Sequence, residues 1–119
     1  MAKKFLLTLL FAPIFVGVAS SQTLTELQKI EQLIQSVEQL KGAEFMRNGT
    51  AYSAQQAAAH LRAKLKKAGG RVKTAQDFID GVASASYLSG KPYYIRFNDG
   101  KQVTSKEFFE GRLREIIKN

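Results

Sequence analysis

Apolar residues recur every three to four positions through Leu24, Leu27, Ile30, Leu33, Ile34, Val37 and Leu40, the spacing that gathers them on one helix face. Thr25-Glu26-Leu27-Gln28 opens this segment as a capping box, in which the hydroxyl accepts from an orphan helix N–H and the glutamine reaches back. Gly42 supplies the left-handed residue expected after the last turn. The stripe fits either a core face or a coiled-coil seam, and its shortness favours the core face.

The period then shortens to two. Glu44-Phe45-Met46-Arg47 and Thr50-Ala51-Tyr52 flank Asn48-Gly49, a strong hairpin signal because both turn residues must take positive φ. That register sets Phe45 opposite Tyr52 as a cross-strand aromatic pair. Asn48-Gly49-Thr50 also reads as a glycosylation sequon, but the turn accounts for it better.

Helical spacing returns at Ser53-Ala54-Gln55-Gln56, a second capping box opening a helix that runs to about Ala68 and closes on Gly69-Gly70. Its stripe of Ala54, Ala58, Leu61, Leu65 and Ala68 is built of small residues, so a neighbour should pack close. Thr74-Ala75-Gln76-Asp77 starts a shorter helix with Phe78, Ile79 and Val82 inward, fading near Ala83 to Ser86. Tyr93 to Phe97 reads as a strand with Tyr93, Ile95 and Phe97 on one face, and Asn98-Asp99-Gly100 turns Lys101 to Val103 back against it. A fourth box, Thr104-Ser105-Lys106-Glu107, leads a final helix facing inward through Phe108, Phe109, Leu113, Ile116 and Ile117. The expected fold is α+β, about four helices and two short hairpins in a single domain spanning residues 22–119.

Residues 1–21 have a different pattern: Lys3 and Lys4, an uncharged apolar run from Phe5 to Val18, then small residues Ala19, Ser20 and Ser21. This is the order of a cleaved signal peptide, and the run is shorter than the roughly 20 residues a spanning helix needs. A periplasmic or secreted location is therefore expected, with no stable membrane anchor after cleavage, since no cysteine follows to accept a lipid. The chain has no cysteine at all, which excludes disulfides, thiol catalysis and thiolate metal sites.

Charge adds a direction. The formal net charge is +8, and losing Lys3 and Lys4 leaves +6 on the mature domain. Six basic residues and no acid lie between Arg62 and Lys73. Such a balance favours anionic partners, an anionic envelope component or an acidic protein, while nucleic acid is not expected in that compartment. A solvated helix end accounts for the same run without any partner.

Three blocks, FMRNGTAY, AAAHLRAKLK and TAQDFIDGVASASYLSGKPYYIRFNDG, together resemble an exported Gram-negative family, the domain of unknown function 5329. The resemblance implies an exported α+β domain and no particular activity. In the pattern of that family a cysteine precedes the RNG block and another follows SGKPY, at the places held here by Ala43 and Phe97. If relatives pair those cysteines, Ala43 and Phe97 should be neighbours.

His60 is the lone histidine and flanks the stripe of its helix, which favours a structural or binding role over catalysis. A hydrolase would combine it, as general base, with Asp77 and one of Ser53, Ser84, Ser86 or Ser89, but no nucleophile-elbow motif is present. Metal binding lacks a second ligand at helical spacing, and neither a metal nor a cofactor is expected. The connector from Ser84 to Pro92 joins hydroxyls, Gly90 and Lys91 in one loop that could cradle an anion, without the spacing of a P-loop. The expected function is thus a non-enzymatic binding or interaction domain for an anionic ligand or protein surface. Arg47, His60, Arg62, Lys64, Ser89, Lys91 and Tyr93 are its candidate contacts, the basic groups meeting the anion and Tyr93 stacking or hydrogen-bonding. The alternatives are a hydrolase built on His60 and an oligomerising subunit using the Leu24–Leu40 helix.

Overall fold

Each capping signal opens the helix it predicts. The computed structural model describes residues 23–118, so the expected signal peptide of residues 1–21 lies outside the described residues. Helix α1 spans Glu26–Glu38, α2 Ala54–Ala68, α3 Ala75–Phe78 and α4 Ser105–Lys118. Thr25, Ser53 and Thr74 each complete a reciprocal box, and Thr104 and Glu107 bond each other's backbone N–H at α4. Strands β1 (Glu44–Arg47), β2 (Thr50–Ser53), β3 (Tyr94–Arg96) and β4 (Gln102–Thr104) form one antiparallel sheet in the order β2-β1-β3-β4. The fold class is the expected α+β.

The sequence pattern shows two hairpins but not their union. Asn48 and Gly49 take φ of 50° and 80°, and Phe45 pairs with Tyr52 as the turn requires. The pairing of β1 with β3 is long-range and has no local signal; it aligns Phe45 with Ile95 and Val103 with Ile95 from the other side. One sheet face thereby carries the row Tyr52, Phe45, Ile95 and Val103 against the helices. Ile30, Leu33, Ile34 and Val37 of α1, Ala57, Ala58 and Leu61 of α2, and Phe109, Leu113 and Ile116 of α4 complete the core. Leu27 and Ile117, expected inward, are 70% and 62% exposed at the margins of their stripes.

Helix α3 widens into a π-turn at Ile79–Ala83 before the chain leaves it. Widening frees carbonyls from their usual partners, and serine hydroxyls fill in: Ser84 Oγ donates to Ile79 O at 2.5 Å and buried Ser105 Oγ to Ala83 O at 2.7 Å. The connector then folds back on itself. Ser86 N donates to Lys91 O, Gly90 N to Ser86 O and Tyr93 N to Ser84 O, leaving Leu88 fully exposed at its tip.

Candidate functional site

Strand alternation decides where Arg47 goes. Residues two apart share a sheet face, so Arg47 follows Phe45 toward the helices at the end of β1. The β1–β3 register matches Met46 with Tyr94; one step further it sets Arg47 across from Tyr93. At the opposite end the same register sets Ala43 across from Phe97, and both pack on the core.

Above the Arg47–Tyr93 end runs α2, whose 3.6-residue repeat stacks His60 and Lys64 one turn apart. Arg47 Nη1 lies against the His60 ring, 2.9 Å from Nδ1 and in contact with Nε2. Its Nη2 donates to Tyr52 Oη at 3.4 Å, with the guanidinium 5.1 Å from that ring's centre. The His60 ring meets Tyr93 edge-on at 6.4 Å. Lys64 Nζ donates to Tyr93 Oη at 2.9 Å and to Ala85 O at 3.0 Å, and sits 4.3 Å from the centre of the Tyr87 ring. Lys64, a candidate contact in a run that a solvated helix end would also explain, is only 7% exposed.

Electrostatics at this cluster lean one way. Burial, then the Lys64 environment's other cation, Arg47, pull the Lys64 ammonium down to about 8. Burial chiefly, with Arg47 and Lys64 adding repulsion, holds His60 below its ordinary value, so it accepts from Arg47 as a neutral ring. Burial pushes the Tyr93 phenol up and keeps it protonated. No salt bridge among the described residues involves Arg47 or Lys64.

The reason is that the chain's ten acidic side chains are committed elsewhere. Glu26 holds Lys29 and Ala75 N, Glu31 and Glu38 hold Arg62, and Glu44 holds Arg96. Asp80 and Glu110 meet Lys106, and Glu115 meets Arg112. Asp77 and Glu107 serve helix caps, and Asp99 bonds Lys101 N. Arg47 and Lys64 are left without a carboxylate partner.

Four of the seven sequence candidates, Arg47, His60, Lys64 and Tyr93, thus converge. Ser89 lies beside them, its hydroxyl donating to Asn48 Oδ1 of the hairpin turn at 2.6 Å. Lys91 lines a separate shallow depression with Asn48, Tyr94 and Arg96. Arg62 points to α1, 2.7 Å from Glu31 and 3.5 Å from Glu38. The basic run and the SGKPY loop therefore meet through Lys64 and not through Arg62. Sequence reasoning missed Tyr52 and Tyr87 as members of the cluster. Tyr52 was signalled by its pairing with Phe45; Tyr87 had no signal beyond its place in the loop.

The serines and the aspartate named for a hydrolase have other hydrogen-bond partners. Ser53 Oγ caps α2, Ser84 Oγ donates to Ile79 O, and Ser86 and Ser89 hydroxyls bond Asn48, while Asp77 caps α3. Among the described residues no group of three or more His, Cys, Asp and Glu could hold a metal, and no helix is long and apolar enough to cross a membrane. A groove of about 460 Å³ between α1 and α4 shares no residue with the cluster, and its Arg112 and Glu115 neutralise each other. Between β2 and α2, by contrast, a cleft of about 270 Å³ opens directly on Arg47 and His60.

Comparison with known proteins places the chain. The family of unknown function (DUF5329) matches residues 24–117, and the chain belongs to it. Uncharacterized protein YfeK of Salmonella typhimurium (strain LT2) is 43% identical over 65 residues, 55% of this chain. The chain covers 54% of that relative, about half its length. No solved structure matches.

Proposed function

We propose that this member of the family is an exported, non-enzymatic binding domain whose Arg47–His60–Lys64 face takes up an anionic ligand or an acidic protein surface. One observation supports the reading above others: a buried ammonium and a neighbouring guanidinium share a face with no carboxylate, while every acid of the chain is engaged elsewhere. Buried charge without a counter-ion is costly, and an incoming anion removes that cost. Tyr93 and Tyr52 add hydroxyls that can donate to it. The signal-like start and net positive charge fit a periplasmic or secreted partner of the envelope, with no nucleic acid and no cofactor involved.

The test is the thermal midpoint of the purified protein against phosphate, phosphorylated sugars, wall fragments and lipopolysaccharide pieces at low and moderate salt. The expected result is a rise for one class of anion beyond the general salt effect, lost in Arg47→Gln and Lys64→Met and kept in Arg62→Gln. Equal responses from all three variants and wild type would overturn the assignment. An unshifted midpoint with every anion would do the same.

A further inference from the structure

We infer that the cleft beside Arg47 is a binding site for a small monocarboxylate with an apolar body, such as an aromatic or short-chain acid. The inference rests on the anion reading above and adds the identity of the ligand's other end. The cleft lies at the sheet's edge strand, β2, against the first two turns of α2. Phe45 and Tyr52, the paired residues of the first hairpin, line it from the sheet. Gln56, Ala57 and Ala59 line it from α2, where the two alanines bring no side chain beyond Cβ to fill it. Arg47 and His60 close one end.

Charge fixes the head group. Arg47 is the cation that lines the cleft, with His60 held neutral beside it, while Lys64 Nζ, bonded to Ala85 O and Tyr93 Oη, adds its positive field from behind without lining the cleft. One planar cation matches one planar carboxylate, with two N–H groups able to meet two oxygens. The Tyr52 hydroxyl, 3.4 Å from Arg47 Nη2, stands where it can donate to the same group. Size fixes the body. The cleft, about 270 Å³ and open on one side, has room for a compact body such as a single ring and not for an extended chain. Benzoate is such a body, its ring set among Phe45, Tyr52, Ala57 and Ala59 with its carboxylate toward Arg47.

Benzoate, acetate, benzamide and inorganic phosphate are the probes, titrated into the purified protein by calorimetry at constant ionic strength. Benzoate is expected to bind at least about tenfold more tightly than acetate and than its neutral amide. Ala59→Leu, at an exposed helix position where folding is not at risk, is expected to remove the advantage over acetate while leaving phosphate binding unchanged. Arg47→Gln is expected to remove the preference for benzoate over benzamide. Equal affinity for acetate and benzoate, or an Ala59→Leu protein that binds benzoate as wild type does, would overturn this inference and leave the anion reading standing. Failure of both phosphate and benzoate to bind would overturn the two together.

Discussion

Lys64→Met tests the electrostatic account of the cluster through stability alone, without any ligand. The ammonium is buried against the Tyr87 and Tyr93 rings, feels the repulsion of Arg47, and titrates at about 8 where an ordinary lysine titrates at 10.5. The folded state therefore gives up its proton more readily than the unfolded state. Between pH 8 and 10.5 the unfolded chain holds more protons, so stability must rise with pH across that window and be lost as pH falls through it. At about 1.4 kcal/mol for each pH unit separating the two values, the full effect is about 3 kcal/mol, of which about 2 kcal/mol develops between pH 8 and 10. That is a large share of the roughly 5 to 10 kcal/mol available to a domain of this size. Tyr93, whose pKa is raised, opposes the trend only above pH 10, where the unfolded phenol ionises first. Urea unfolding of wild type and Lys64→Met at pH 7, 8, 9 and 10 isolates the lysine by difference. Wild type should gain about 2 kcal/mol on the variant's own change over pH 8 to 10. Parallel pH profiles for the two proteins would refute the claim that this charge is buried without compensation. Saturating anion should flatten the wild-type slope, because a bound negative charge holds the proton on.

Three further outcomes follow from the same geometry. His60, also depressed, contributes stability present above pH 6.5 and lost as pH falls, so wild-type urea midpoints should drop below pH 6.5 more steeply than those of His60→Gln. Gly42→Ala should cost about 1 to 2 kcal/mol by thermal unfolding, since φ is +71° and the new Cβ would stand 3.0 Å from Asn98 Cβ. Gly49→Ala, with φ of +80° but open space, should cost less. Leu33→Lys should unfold the protein because Leu33 is fully buried, whereas Leu27→Lys should change stability by no more than about 0.5 kcal/mol. Sedimentation of Leu27→Lys then reads any use of the exposed margin of α1 as an oligomer seam.

Local chemistry made most elements readable. Three reciprocal capping boxes, the hydroxyl–glutamate exchange at α4 and the Asn48-Gly49 turn act within four residues of chain, so each is visible in the letters themselves. The β1–β3 pairing joins residues about fifty positions apart with two helices between, and no local pattern encodes it. The site depends on that pairing. Arg47 and Tyr93 stand out in the sequence for charge and for loop context, yet what brings them together is a register that only the folded sheet defines. Composition is blind in one place: Arg62, Lys64, Lys66 and Lys67 crowd the last turns of α2, and the letters alone do not tell them apart. Helical phase separates them, sending Lys64 under the loop and Arg62 across to the acids of α1. The first helix shows the same limit, since Leu27 fits the apolar spacing but falls at the edge of the stripe that α2 covers.

The central claim is that Arg47 and Lys64 together await an anion. Side-chain nitrogen NMR of the Arg47 guanidinium and the Lys64 ammonium, followed as phosphate is added at constant ionic strength, tests it most directly. The account predicts saturable shifts of both signals with a common midpoint, while Arg62, held by Glu31 and Glu38, stays put. Unmoved Arg47 and Lys64 signals, or equal linear drifts at every arginine and lysine including Arg62, would contradict it.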